Sequence, residues 1–269
     1  MQILYFLEKI RNPFLDAVFS AVTYLGDEIA FMVVAMLLFW CINKRSGYFM
    51  LISGFFGILL NQVLKLICKI PRPWVRDPSF TIVESAREAA SGYSFPSGHS
   101  QNAASVAGAI FLTTKKLWLK ITVLTLAVLV LISRMYLGVH TFWDVIAGGA
   151  CAVIVLLILE PVFVSDKLFG KIMPFVVAAL AAFSVAFYIY AVVVNRGADV
   201  GVNEISALKQ SKTLLGCALG LILVYTLDRF VIKFETAAPW YIQIVKVVVG
   251  FAVVMAIKVL LASLLDLVF

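Results

Sequence analysis

The sequence predicts an all-α protein, a polytopic bundle of membrane-spanning helices. Of its 269 residues, 63% are apolar and 14% are charged, whereas a soluble globular domain averages about 45–50% apolar and about 25% charged residues. Uncharged runs such as Ser46–Leu64 and Ile172–Asn195 match the roughly 20 residues that a helix needs to cross the bilayer core. A transmembrane β-barrel would show short segments of alternating polarity instead.

The same composition excludes several other classes of protein, namely a soluble domain, a disordered chain and a disulfide scaffold. Lys and Arg exceed Asp and Glu by 22 to 15, but the basic residues are scattered and form no stripe, which argues against nucleic-acid binding. The four cysteines lie far apart without a CxxC pair, so neither a metal site nor a redox site is indicated.

The chain is expected to divide into three parts. Residues 1–26 are interpreted as an amphipathic segment at the membrane interface, with a short first span as the alternative. Charged residues interrupt their apolar positions, which is not typical of a cleavable signal peptide. Residues 27–164 form a membrane-embedded core with the candidate site, and residues 165–269 form a three-span extension.

About eight spans are predicted from the apolar runs. They are Glu28–Asn43, Gly47–Ile70, Ser100–Thr114, Leu117–Leu137, Phe142–Val164, Ile172–Val194, Lys212–Ile232 and Gln243–Leu267. Most connections between them are short, but the Pro71–His99 loop is long and rich in Pro, Ser and Gly. Long loops of this kind commonly carry function.

Three segments at helix ends hold the chemically informative residues, including both histidines of the chain. They are Lys65–Pro73, Ser94–His99 and Ser133–Asp144. With the predicted order of spans, all three segments face the same side of the membrane. The presence of all three segments on one side, rather than any single residue, indicates a functional site.

The charged residues of these segments suit a phosphate group. Lys65, Arg72 and Arg134 are cations near one membrane face, and burying them without an anion would be costly. Arginine binds phosphate oxygens in a bidentate manner, and lysine adds a point charge. Ser97 and Gly98 precede a predicted helix start, where backbone N–H groups favour an anion.

The two histidines suit nucleophilic and acid catalysis beside that phosphate. Histidine titrates close to neutral pH, so one imidazole can attack phosphorus while the other protonates the leaving oxygen. Asp144 follows His140 by one helical turn and can orient it, which favours His140 as nucleophile and His99 as acid. From the residues alone, the two roles remain exchangeable.

These segments resemble the three-part signature of the type 2 phosphatidic acid phosphatase superfamily. The matching residues are Lys65…Arg72-Pro73, Pro96-Ser97-Gly98-His99 and Ser133-Arg134…His140…Asp144. The resemblance implies a metal-independent phosphatase without a cofactor, acting through a phosphohistidine on His140, with His99 as acid. It also implies a phosphate-binding set, which consists of Lys65, Arg72, Ser97, Gly98 and Arg134.

The expected function is that of an integral membrane phosphatase acting on a lipid phosphate or diphosphate. Polyprenyl diphosphate, phosphatidate and phosphatidylglycerol phosphate are candidate substrates, and the lipid bilayer is the expected partner. Four alternatives remain open: a phosphotransferase to a second lipid, a sugar-phosphate phosphatase, a vanadate-dependent haloperoxidase and an anion transporter.

The short loops indicate the orientation of the chain. One side of the membrane collects a set of basic residues: Lys44, Arg45, Lys115, Lys116, Lys167, Lys171, Arg229 and Lys233. Short basic loops are typically cytoplasmic. The Pro71–His99 loop and the candidate site are therefore expected on the extracytoplasmic face of the cell membrane.

Overall fold

A computed structural model confirms the all-α membrane fold. It describes residues 1–87, 90–196 and 201–268, the last eleven of these by backbone alone, and this part of the chain contains no strand. The α-helices are α1 (Gln2–Lys9), α2 (Pro13–Thr23), α3 (Glu28–Leu37), α4 (Lys44–Cys68), α5 (Pro73–Arg76), α6 (Gly98–Thr113), α7 (Leu117–Tyr136), α8 (Phe142–Val164), α9 (Asp166–Val194), α10 (Val202–Leu227) and α11 (Trp240–Val268).

Six helical segments are long and apolar enough to cross a membrane, or seven if one bent pair counts as a span. The six are Lys44–Arg76, Leu117–Tyr136, Phe142–Val164, Asp166–Val194, Val202–Ile232 and Trp240–Ile257. The bent pair joins Pro13–Gly26 to Glu28–Ile42 at 51°. The predicted count of eight stays a prediction.

Helix α6 accounts for part of the difference in count. It has 16 residues, which at 1.5 Å per residue gives a length of about 24 Å, shorter than the roughly 30 Å hydrocarbon core. The side chain of Ser97 caps its first turn by accepting a hydrogen bond from the backbone N–H of Ser100. Placement of residues 1–26 at the interface also stays a prediction, because α2 belongs to the bent pair.

Helix α4 forms the centre of the bundle. Residues of its first half, such as Phe49, Met50 and Ile52, are at most 1% exposed, and the helix packs against α6, α8, α9 and α10. A helix that is apolar on all sides belongs in the interior. The later helices instead carry exposed apolar side chains, such as Ile158 on α8 and Phe175 on α9, as expected for faces toward lipid.

Close packing of α6 against α8 sets the position of the Ser97–Gly98 turn. At Gly148 on α8 there is no room for a β-carbon, because it would overlap the carbonyl oxygen of Ser97. At the next residue, Gly149, a β-carbon would lie 4.0 Å from that of Ala104, an ordinary contact. The absence of a side chain at Gly148 therefore lets the start of α6 rest directly on α8.

This contact predicts different effects for two neighbouring substitutions. Gly148→Ala should destabilise the protein by about 1–3 kcal/mol, because the overlap forces α6 and α8 apart. Gly149→Ala, the matched control, should leave stability unchanged or raise it slightly through the better helix propensity of alanine. Thermal unfolding in detergent measures both effects, and equal stability of the two variants would contradict the packing argument.

Candidate active site

The three predicted segments come together around one cavity of about 290 Å³. Six of the eight predicted site residues line it, namely Lys65, Arg72, Gly98, His99, Arg134 and His140. The side chains come from the end of α4, the start of α6, the end of α7 and the α7–α8 connection. Residues that are far apart in sequence thus face one volume, as the segment order predicted.

Ser97 and Asp144 lie behind the cavity wall instead. Ser97 is fully buried, and its hydroxyl is within hydrogen-bond distance of the hydroxyl of Ser100 (2.9 Å). Its backbone N–H donates to the carbonyl oxygen of Asp144 (2.9 Å). In this geometry Ser97 ties the start of α6 to the start of α8, and its neighbour Gly98 presents backbone to the cavity.

His140 lies between a cation and a carboxylate. Nη1 of Arg72 is 2.8 Å from its Nε2, while its Nδ1 is 3.7 Å from Oδ2 of Asp144, longer than a normal hydrogen bond. A guanidinium can only donate, so the contact with Arg72 assigns the ring proton to Nδ1, on the side of Asp144. The lone pair of Nε2 then points into the site.

Burial, with the nearby Arg72, Arg134 and Lys65, lowers the pKa of His140 well below its usual value. The ring is therefore neutral at neutral pH. A neutral imidazole is the form that can act as a nucleophile.

Asp144 is held in place by more than His140. Oδ2 of Asp144 accepts hydrogen bonds from the backbone N–H of Thr141 (2.7 Å) and from the hydroxyl of Ser94 (2.6 Å). Thr141 caps α8 in return, which completes a capping box. The carboxylate is thus fixed one turn below His140. The contribution of Ser94 was not predicted from the sequence.

Arg72 is embedded in the long loop. It is 6% exposed, and its donors reach the backbone carbonyls of Ser91 (2.8 Å), Gly92 (3.0 Å) and Val139 (3.0 Å). These bonds satisfy the guanidinium without neutralising its charge. The described part of the Pro71–His99 loop therefore positions a cation through its backbone carbonyls.

Lys65 and Arg134 are similarly buried and similarly bonded to neutral groups. Nζ of Lys65 donates to the carbonyl of Tyr93 (2.5 Å), and Nη1 of Arg134 donates to the hydroxyl of Thr23 (2.8 Å). Arg134 is only 1% exposed, and its Nε has no hydrogen-bond partner among the described residues. Three buried cations thus keep their positive charge directed at one cavity, which favours a multiply charged anion.

Several polar residues of the cavity wall were missed by the sequence analysis. They are Asp27, Glu28, Asn61, Gln62, Gln101, Asn102 and Gln210. Asn61 is 1% exposed, and neither atom of its amide has a hydrogen-bond partner in the described structure. Its position one helical turn before Lys65, inside an apolar run, is the signal that could have identified it.

No three His, Cys, Asp or Glu side chains are close enough to hold a metal ion within the described ranges. The arrangement suits phosphate chemistry: a cation-lined cavity, a neutral imidazole whose Nε2 lone pair accepts from Arg72, and a second histidine that lines the same cavity. The cations and histidines are supplied by three segments that are separate in sequence, so the cavity exists only in the folded bundle.

Two family models match the chain. The model described as the PAP2 superfamily covers residues 46–167, which include every predicted site residue. The model described as a PAP2 superfamily phosphatase, transmembrane extension, covers residues 212–267.

Similar proteins are found in both sequence and structure comparisons. Phosphatidylglycerophosphatase B of Bacillus subtilis is 36% identical over 152 residues, or 52% of this chain and 70% of that protein. Sphingosine-1-phosphate phosphatase 1 of Mus musculus is 29% identical over 58% of this chain, but the match spans 36% of the mouse protein.

Among solved structures, LpxE of Aquifex aeolicus superposes with a TM-score of 0.53 at 24% identity. The superposition covers 60% of this chain and 93% of that one, and it indicates a shared fold. The matching family models and the bacterial relative show that the chain belongs to the PAP2 superfamily and is a metal-independent membrane phosphatase.

Proposed function

We propose that this protein hydrolyses a lipid phosphate monoester through a phosphohistidine formed on His140. The observation that carries the proposal is the single cavity in which three buried cations surround both histidines. The carboxylates of Asp27 and Glu28 also line this cavity, but neither forms an ion pair with the three cations within 4.0 Å. A phosphate anion can therefore pair with the cations directly. Arginine forks and the backbone N–H groups at the start of α6 provide directed donors for its oxygens. A β-carbon at Gly98 would meet nothing within 4 Å, so there is room for a ligand there.

The first chemical step transfers the phosphoryl group to the enzyme. Burial and the nearby Arg134, Arg72 and Lys65 lower the pKa of His99 to about 3 in the ligand-free site. The bound phosphate dianion offsets these cations, so His99 takes up a proton once the substrate is bound. Nε2 of His140 then attacks phosphorus, the bond from phosphorus to the leaving oxygen breaks, and His99 donates its proton to that oxygen. Asp144 stabilises the positive ring by accepting its Nδ1–H. Arg72 moves its donor from Nε2 to the phosphate. The cations stabilise the charge on the transferring group.

The second step returns the enzyme to its starting state. His99, now neutral, takes a proton from a water molecule, and the oxygen of that water attacks phosphorus. The bond between phosphorus and Nε2 breaks, and inorganic phosphate leaves. His140 is again neutral, and His99 releases the proton that it took up on substrate binding, so protons balance over the cycle.

The polar wall of the cavity supports a particular class of lipid. Two relatives are named as phosphatases of phosphatidylglycerophosphate and sphingosine-1-phosphate, and each of these lipids carries a hydroxyl or amino group on the carbon next to the phosphate-bearing carbon. The amides of Asn61, Gln101 and Asn102 each retain at least one atom without a partner in the described structure. These groups suit a hydroxyl or amino group beside the ester, as opposed to a purely hydrocarbon leaving group.

We also propose that the site faces the extracytoplasmic side of the cell membrane. The support is the set of basic residues in the short loops at the other end of the bundle, since such loops are typically cytoplasmic. The numbers of basic residues at the two ends are close, and the comparison leaves out Lys65, Arg72 and Arg134, which are assigned to phosphate binding. The Pro71–His99 loop, which holds Arg72, would then lie outside the cell, where lipid headgroups of the outer leaflet can reach it.

The first prediction concerns the nucleophile. His140→Ala should lower kcat by several orders of magnitude, on the order of 10⁴–10⁶, as for loss of a covalent nucleophile. The loss of kcat is measured as phosphate release from phosphatidylglycerophosphate. EDTA is present, so the assay also tests whether the activity is independent of metal. The matched variant Asp144→Asn should lose on the order of 10²-fold and should still form an acid-labile phosphoenzyme. More than a few per cent of activity in His140→Ala would refute the mechanism.

The second prediction concerns the leaving group. Asn61→Ala removes the amide and adds no volume at this buried position. It should lower kcat/KM for phosphatidylglycerophosphate about tenfold, which corresponds to one hydrogen bond of about 1.4 kcal/mol. For farnesyl phosphate, which has no neighbouring hydroxyl, the change should be under threefold. Ser53→Ala is the control, because Ser53 lies in the same helix and bonds its own backbone at Phe49 (2.6 Å). Equal losses on both substrates would contradict the assignment.

The third prediction concerns sidedness. In a variant lacking the four native cysteines, Ser85→Cys should react with an impermeant thiol reagent in intact cells. Lys115→Cys should react only after the cells are opened. Both positions are exposed. Ser85 lies in the loop before α6, and Lys115 lies in the connection that follows α6. The reverse pattern would place the site on the cytoplasmic face and leave the chemistry unaffected.

A further inference from the structure

A second cluster of cations lies at the opposite end of α4 from the phosphatase site. Lys44 and Arg45 begin that helix, while Arg229 and Lys233 lie where α10 ends. All four residues line one cavity of about 400 Å³, together with aromatic side chains that include Tyr48. Neither the family assignment nor the proposed reaction uses this cavity.

The charges of the cluster do not balance. The carboxylate of Asp228 accepts from Lys44 (2.8 Å) and from the hydroxyl of Tyr48 (3.3 Å). Arg45 pairs with Asp166, whose side chain is 96% exposed, so that pair contributes little. Arg229 and Lys233 have no carboxylate within 4.0 Å in the described part of the chain. Four cations and two carboxylates therefore leave a net charge of about +2.

The guanidinium groups also retain unused donors. Nε and Nη2 of Arg45 are buried without a hydrogen-bond acceptor among the described residues, and the group lies 4.8 Å from the ring of Phe169. Arg229 reaches only neutral groups, the carbonyl of Gly170 (3.3 Å) and the hydroxyl of Tyr225. Buried N–H donors are normally satisfied, so an anion with several oxygens fits this cavity.

The length of α4 places the cluster in the other headgroup layer. Lys65 follows Arg45 by 20 residues within one continuous helix, a rise of about 30 Å. The hydrocarbon core has about the same thickness. Exposed apolar side chains continue from the cavity along Phe230, Val231 and Ile232, each at least 61% exposed, where acyl chains would lie.

We propose that this cavity binds the phosphate of an anionic phospholipid from the leaflet opposite the active site. Inorganic phosphate shares the headgroup chemistry but gains nothing from the adjoining apolar surface. The proposal is independent of the phosphatase reaction and of the direction in which the chain crosses the membrane.

Titration of purified protein in neutral detergent, followed by native mass spectrometry, tests this proposal. Dioleoylphosphatidylglycerol should bind more tightly than dioleoylphosphatidylcholine or inorganic phosphate. The double variant Arg45→Gln/Arg229→Gln should weaken the phosphatidylglycerol affinity at least tenfold and lose one bound lipid. The matched control is Lys115→Gln/Lys116→Gln, which removes two exposed charges from the same face outside the cavity and should bind as the parent does.

If the double variant unfolds, the single variant Lys233→Asn still tests lipid binding at this cavity. Lys233 is exposed and has a positive φ of 48°, a conformation that asparagine tolerates, so Lys233→Asn removes charge with little strain. It should weaken binding about threefold to tenfold. Unchanged affinity in this variant would overturn the proposal. Equal loss in the Lys115/Lys116 control, or binding of inorganic phosphate without binding of the lipid, would also overturn it.

Discussion

Burial of Lys65, Arg72 and Arg134 is the constraint on which the rest of the site depends. Removing an ion from water costs several kcal/mol even after relaxation, and these three cations are at most 8% exposed. Hydrogen bonds to neutral acceptors, which are loop carbonyls and the hydroxyl of Thr23, offset part of this desolvation cost. Neutral partners satisfy the donors but leave the charge available, so the cavity attracts a phosphate group.

The same constraint explains parts of the chain that contribute no catalytic side chain. The described residues of the Pro71–His99 loop supply carbonyls to Arg72 and Lys65, and the N-terminal segment supplies Thr23 and the backbone around Gly26. A β-carbon at Gly26 would lie 2.8 Å from the carbonyl oxygen of His99. The N-terminal segment therefore rests directly on the helix start that presents His99 and Gly98.

Motif spacing and apolar run length predicted most of the residues of the site and the membrane-helix fold. The three motifs and their order along the spans predicted that Lys65, Arg72, His99, Arg134 and His140 share one face, because a span reverses the side of each following loop. The count of eight spans stays a prediction, because helix length and composition identify six or seven segments in the described residues. Apolar run length does not show that α6 is a short helix or that the Glu28–Ile42 segment is one arm of a bent pair.

The sequence by itself determined the membrane class, the phosphate-binding residue types and the His140–Asp144 spacing, because these follow from composition and from helical periodicity. Only the tertiary structure decided that Ser97 anchors α6 from behind the wall, that Ser94 holds Asp144, and that unpartnered amides line the cavity. The tertiary structure also decided which of the scattered basic residues line the second cavity, at the start of α4. Such contacts join segments distant in the chain, and no local pattern specifies which side chains the packing of helices will bring together.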